Sequence, residues 1–442
     1  MKVNFDYGHI SSCVIQGLTY LYGVTSDQRY LDFCHYVTTR YAQKDTVPIV
    51  VTEERSSGYP FKETTPNVKH MEFEYNLTAL CELYRYTGEN KWLVSCRNLY
   101  DGYYAPLLGS MVFHGFFTPP AGVKVPPTWH ATLETCDLNG INRWLIEMAR
   151  LTGETEYLDA LEWLLYNVYL PRDLPDGTVS PYGDIDDQTA VLGIAKSVTD
   201  DIYHCCWNSV LLGHSYLPSW CYFIAPDGIL VNLYEPSTLD TEVDGVKVRL
   251  AQTTKYPLEG LVDIAVEPER SIAFTMYLRI PGWCKTAKVL VNGTSEVGAR
   301  PDAGSLVRLP RQWNKHDRVS LVMEMPATVV TCEYAGGSKL ARVERGPLIL
   351  CVTEKLNPGV RLESIVAFEE SDGLLKLDPV DSGVFRGEAV TVVQTDGGPF
   401  RKAVPVVLTP YADAGTHGSY RVEFVADGNP VGFGGRCAYR IQ

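Results

Sequence analysis

Two stretches of this chain carry residue types that can hold a metal and do nucleophilic chemistry: Glu134-Thr135-Cys136, and Cys205-Cys206 with Trp207 following. Together they offer one carboxylate and three thiols. Thiolates are soft ligands that suit zinc, and one carboxylate with three thiolates completes a tetrahedral shell. The spacing matches no finger or ribbon pattern, so buried thiols or a vicinal disulfide stay open as alternatives. His9, His35, His70, His114, His130, His204 and His214 all fall in the first half of the chain. A lone histidine is more often a satisfied structural group than a catalyst; His70 and His9, each before a predicted helix, are the better candidates. Glu162 reads by itself as a solvated helix charge, and Tyr182 as a loop aromatic.

The elements that must position these residues are helical hairpins. LTYLYGVTSDQRYLDFC (18–34), LCELYRYTGENKWLVSC (80–96) and RWLIEMARLTGETEYLDAL (143–161) each read as helix, tight Thr-Ser or Thr-Gly turn, helix. Leu138, Ile141, Leu145, Ile146 and Ala149 recur at three- and four-residue spacing and predict one inward stripe. Gly153 supplies the left-handed residue that ends that helix. Thr25, Thr87 and Thr152 recur at near-equal long intervals, too far apart for a short solenoid repeat but suited to hairpins in an α/α toroid. Three hairpins and one helix near 206–217 are fewer than a closed six-hairpin ring needs, which places Met1 inside a longer gene product.

From about residue 221 the hydrophobic period becomes two, as in Val246-Lys-Val-Arg-Leu and Phe274-Thr-Met-Tyr-Leu-Arg-Ile. Turn residues interrupt these runs in the manner of antiparallel sandwiches. The predicted architecture is a multidomain α + β chain: an incomplete (α/α)6 toroid over 1–217, a β-sandwich over 218–353 and a second small β-sandwich over 354–442.

The 442 residues are 45% hydrophobic and 21% charged, enough for a large core. A net charge of −14 argues against nucleic acid and anionic membrane surfaces. A neutral small molecule or glycan is the better partner. The 27 tyrosines, 8 tryptophans and 14 phenylalanines read first as core, and such rings also stack on sugars. No run of about 18 apolar residues predicts a spanning helix. The N-terminus lacks the charged start, apolar stretch and cleavage site of a signal peptide, and most of the 12 cysteines sit singly in apolar patterns, which predicts a cytoplasmic, reducing location.

Leu133-Glu134-Thr135-Cys136, then Tyr157-Leu158 through Leu161-Glu162 to Tyr166-Asn167, then Cys205-Cys206, resemble the β-L-arabinofuranosidase family, glycoside hydrolase family 127 and its relatives. Tyr256-Pro-Leu-Glu-Gly, Leu278-Arg-Ile-Pro-Gly-Trp, Val291-Asn-Gly and Arg345-Gly-Pro-Leu extend the resemblance through the β half. It covers most of residues 10–353 in one order. The resemblance implies a toroid carrying β-sandwiches, a zinc ion held by Glu134, Cys136, Cys205 and Cys206, and Cys205 as nucleophile of a retaining glycosidase acting on terminal β-L-arabinofuranosyl or related sugars of plant-type glycans. It also implies sugar contacts by Glu162, Tyr182, His70 and His9. One departure is visible: the family's acid/base glutamate has no counterpart, because Gly102 to Leu133 contains no Asp or Glu. The rival readings are a non-catalytic sugar-binding or scaffold protein with a structural zinc, and a toroid-plus-sandwich polysaccharide lyase. A β domain pairing across a two-fold axis would make a homodimer.

Overall fold

A computed structural model describes residues 13–41, 70–105, 133–173, 182–183, 205–295, 301–333, 339–368, 370–371, 373–395, 398–417, 420–421 and 424–425. Its helical region contains three hairpins: α1 (Val14–Thr25) with α2 (Gln28–Tyr41), α3 (His70–Thr87) with α4 (Asn90–Leu99), and α5 (Thr135–Thr152) with α6 (Glu156–Leu164). A seventh helix, α7, spans Cys205–Cys221. The first helices of successive hairpins pack side by side, α1 on α3, α3 on α5 and α5 on α7. All four run in the same direction, because each hairpin brings the chain back before the next begins.

The hairpin turns are built by one chemical device used three times. In each, a threonine hydroxyl donates to the carbonyl four residues earlier: Thr25 to Leu21 at 2.7 Å, Thr87 to Leu83 at 2.7 Å and Thr152 to Met148 at 2.8 Å. The same oxygen accepts from the N–H two residues later, on Asp27, Glu89 and Glu154. The residue between turns left-handed, with φ of 56° at Ser26, 68° at Gly88 and 72° at Gly153. Its N–H closes back on the last helical turn, satisfying carbonyls that a helix end otherwise leaves open. Glycine holds this conformation without a Cβ clash, and Ser26 does so with a small side chain.

Burial follows the expected stripe. Leu138, Ile141, Trp144, Leu145 and Met148 of α5 are buried between neighbouring helices. After α4 and α6 the backbone widens into five-residue π turns, Tyr100–Tyr104 and Leu165–Tyr169. Each ends in a buried tyrosine whose hydroxyl reaches the helix row: Tyr104 donates to Glu74 of α3 at 3.2 Å, and Tyr169 to the Val210 carbonyl of α7 at 2.6 Å. Helix α7 runs through Pro218 to Cys221, so the helical region ends at 221, not 217. Proline takes a helical φ and removes only one backbone bond there, and the extra turn buries Trp220 and Cys221.

The β region after α7 is a two-sheet sandwich. Strands Ser237–Val243, Val246–Thr254, Leu261–Pro268, Asp317–Met323, Ala287–Val291 and Thr294–Ser295 form six neighbours in that order. Tyr222–Ala225, Gly228–Val231, Ile272–Ile280 and Ser305–Trp313 form the facing four. All pairs are antiparallel except Gly228–Val231 against Ile272–Ile280, which is parallel. Val248, Leu250, Ile264, Val266, Met276 and Leu278 fill the space between the sheets.

The following strands belong to a separate eleven-stranded sheet that begins at Ala327–Glu333. Lys339–Arg345 and Leu348–Thr353 pair within it, and the long strands Val384–Thr395 and Gly398–Pro410 continue it. The boundary between the two β regions therefore falls between Met323 and Ala327, not at 353. Leu348–Thr353 is buried on both faces and bonds to Gly398–Pro410. Alternation alone does not tell which sheet a strand joins.

Candidate functional site at the helix starts

The residues singled out by the sequence gather at one end of the helix row. His70 is the first residue of α3, Glu134 closes the short strand that leads into α5, Cys136 is in the first turn of α5, and Cys205 and Cys206 open α7. Since these helices are parallel neighbours, their N-termini share one end. The strand Leu133–Glu134 pairs antiparallel with Tyr182–Gly183, setting Glu134 opposite Tyr182. The topology thus brings together five of the six backbone positions 70, 134, 136, 182, 205 and 206, on the short strand pair, α5 and α7, with His70 opening the neighbouring α3. His9, His114 and His130 lie outside the described residues, as do the side chains of His70, Glu134, Tyr182, Cys205 and Cys206.

Cys136 is the one proposed ligand whose side chain is described. It is fully buried, and the Ser209 hydroxyl of α7 donates to its Sγ at 3.2 Å. The Asn139 amide of α5 bonds to the Ser209 carbonyl, locking the first turns of α5 and α7 together. Ser209 stands one helical turn after Cys205, so position 205 lies on the side of α7 that meets α5. Neither Ser209 nor Asn139 announces this in sequence; Ser209 would be found only by reading four residues along from Cys205. Among the described residues no group of three His, Cys, Asp or Glu side chains is close enough to hold a metal. The donor set fits a soft metal: one thiol already sits beside a hydroxyl donor, and parallel helix N-termini favour thiolate over thiol.

Glu162 occupies a different place. It is 1% exposed, at the seam where α6 meets the sandwich. The fully buried Arg279 guanidinium and the Tyr256 hydroxyl both bond its Oε1, the latter at 2.8 Å, and Trp283 Nε1 reaches Oε2 at 3.3 Å. Arg279 also bonds Asp159 at 2.6 Å, and the Gly282 N–H adds a second donor to Asp159 at 3.0 Å. Both oxygens of Glu162 are thus occupied by groups from the β half, an internal ion pair with negligible surface left for a ligand. Burial pushes Asp159 up to about 6, outweighing the opposing pull of Arg279.

Near the same end, α7 is tied to the last turn after α6. His214 places Nδ1 2.8 Å from the Val210 carbonyl and Nε2 2.9 Å from Asp173 Oδ2. Burial opposes its charge, but these two acceptors prevail and raise its pKa. Burial pushes the thiols of Cys81 and Cys351 above the ordinary thiol range. No helix among the described residues is long and apolar enough to cross a membrane.

Residues 228–325 match the family model described as beta-L-arabinofuranosidase, GH127 middle domain. This stretch is similar to a GH127 middle domain. Its end coincides with the break between the two β regions, two residues before Ala327. The GH127-like fold extends over nearly the whole chain. A GH127 beta-L-arabinofuranosidase from Geobacillus stearothermophilus T6 superposes with a TM-score of 0.71 at 21% identity, covering 93% of this chain and 71% of that one. A protein described as a glycoside hydrolase gives 0.70 at 20% identity, covering 93% and 74%. A GH127 beta-arabinofuranosidase gives 0.69 at 20% identity, covering 93% and 68%. No curated protein matches the chain.

Proposed function

We propose that this GH127-like chain is a retaining glycoside hydrolase that releases terminal β-L-arabinofuranosyl or related sugars, with Cys205 as nucleophile. The observation that carries the reading is the Ser209–Cys136 contact, which joins the starts of α5 and α7 and puts positions 134, 136, 205 and 206 on adjoining turns. The names of the structural relatives support the substrate class. Glu134, Cys136, Cys205 and Cys206 would hold zinc, whose charge keeps thiols ionised near neutral pH.

The Cys205 thiolate attacks the anomeric carbon as the glycosidic C–O bond breaks, and water then displaces sulfur. Two inversions at that carbon retain its configuration. The Ser209 hydroxyl and the α5 and α7 starts hold the negative charge of the thiols. Tyr182, opposite Glu134 on its short strand, borders the sugar together with His70 at the start of α3, and His9 is a further sugar contact. Between Gly102 and Leu133 there is no carboxylate, so the proton for the leaving oxygen comes from His114, His130 or a carboxylate on another loop.

Release of a chromogenic β-L-arabinofuranoside, measured with and without chelator and in Cys205→Ala, tests the mechanism. Chelation and the substitution are each expected to abolish turnover; turnover indifferent to both sinks the proposal. The missing carboxylate favours one rival, a sugar-binding protein with a structural zinc. Zinc by elemental analysis, together with sugar binding and no turnover across a glycoside panel, selects that rival.

A further inference from the structure

The four parallel helices each send one residue to a common point two turns below the thiols. Arg143 of α5 donates through Nη2 to the Tyr20 hydroxyl of α1 at 2.7 Å. Its guanidinium lies over the Tyr75 ring of α3 and the Tyr216 ring of α7, 5.4 Å from each centroid. Arg143 stands seven residues after Cys136, on the same side of α5 and about 10 Å along its axis. Tyr20 is 44% exposed and the other three are half-buried, so the cluster is open to solvent.

The charges around it single this arginine out. Glu82 and Glu147, the carboxylates nearest Tyr20, are both bonded by Arg85, and Glu147 is bonded again by Arg150 at 2.7 Å. Two carboxylates there are matched by two guanidiniums. Arg143 is partnered by hydroxyl and ring, with no carboxylate among the described residues. Aromatic contact uses the faces of a guanidinium and leaves its N–H edge for in-plane acceptors, of which the Tyr20 hydroxyl takes one and the Tyr75 hydroxyl approaches another, out of five N–H donors. The side chain is already held by its neighbours, so little further ordering is needed to bind. A planar carboxylate fits the remaining fork in two parallel hydrogen bonds. The tyrosine hydroxyls can meet the hydroxyls of a sugar ring.

We propose that Arg143, framed by Tyr20, Tyr75 and Tyr216, is a recognition site for the carboxylate of a uronic-acid residue. This rests on the glycan reading above and deepens it, making the preferred glycan an acidic one. Calorimetric titration of the full chain with methyl glucuronide and methyl glucoside at low salt tests it. The wild type should bind the glucuronide at least ten-fold more tightly than the glucoside, and added salt should narrow the gap. Arg143→Gln should erase that preference with its thermal melt unchanged. Arg143→Lys, which keeps the charge and loses the fork, should retain part of it, and Tyr20→Phe should weaken glucuronide binding several-fold. Equal binding of the two glycosides, an unaltered preference in Arg143→Gln and Arg143→Lys, or equally effective competition by inorganic phosphate would each overturn the assignment. Hydrolysis of the neutral chromogenic arabinofuranoside in the same preparations separates the two proposals. Glucuronide preference without turnover removes the hydrolase and leaves this site, whereas turnover without preference removes this site alone.

Discussion

At the scale of single residues, Arg279 ties the helical region to the sandwich. Its guanidinium is fully enclosed and neutralised by Glu162 and Asp159, so removing it strands two carboxylates in the seam. Breaking such a pair from one side typically costs about 3–5 kcal/mol. Arg279→Met should lower the urea midpoint accordingly; a loss under about 1 kcal/mol would mean that water reaches the seam. Asp159 adds a pH signature. Its carboxyl titrates near 6 in the folded chain against 3.8 in the open one, so between those values the folded state keeps a proton that the unfolded state has released. Stability from this group therefore falls as pH rises from about 4 to about 6. Asp159→Asn should remove that downward component from the profile of urea midpoint against pH. None of this was legible in sequence. Leu278-Arg-Ile-Pro-Gly-Trp stands out as a motif, but the partner of its arginine is 117 residues away. Glu162 reads locally as a solvated charge, or by resemblance as a sugar contact, and both readings miss the tyrosine, tryptophan and arginine that converge on it.

At the scale of elements, the hairpins were legible because their turns are local chemistry. Thr-Gly after an amphipathic stripe specifies a hydroxyl bonded backward, an N–H bonded forward and a left-handed residue, all within seven positions. Gly153→Ala should destabilise by about 1–2 kcal/mol, since φ of 72° forces an alanine Cβ against the backbone; thermal unfolding reads this directly. The tie between α7 and the segment after α6 was hidden, because nothing near His214 in sequence points to Asp173. Its slope has the same sign as that of Asp159 but lies at higher pH. A raised histidine pKa stabilises fully below about 6.5, and the contribution is lost as pH rises through the folded value. His214→Asn should flatten the fall in stability that begins at about pH 6.5, and an unchanged slope would show that another group governs it.

At the scale of the molecule, helices and sheets share one core. The buried cluster runs without interruption from Ile15 through Trp144 and Tyr256 to Leu408. Asn167 fastens the far sheet to the helical region, donating to the Pro347 carbonyl at 2.7 Å and accepting from the Ile349 N–H at 2.7 Å. The chain should accordingly unfold in one transition by circular dichroism and tryptophan fluorescence. Asn167→Ala is expected to split the two signals by loosening the eleven-stranded sheet, and coincident curves in that variant would count against the coupling. The sandwich was readable from its period of two, yet the assignment of residues 327–353 to the wrong β unit shows the limit of that signal. Every sheet has the same period, and only long-range pairing distinguishes them.

The repeated threonine turn makes one end of the helix row self-contained. All three turns lie at the end of the helix row away from the thiols, and each closes its own hairpin with bonds made inside about seven residues. The helix starts that carry His70, Cys136 and Cys205 lie at the opposite end. The turn end of the row is thus closed by chemistry that does not depend on the other end. Substitutions confined to one turn should therefore weaken its own hairpin while leaving the thiol end of the row in place.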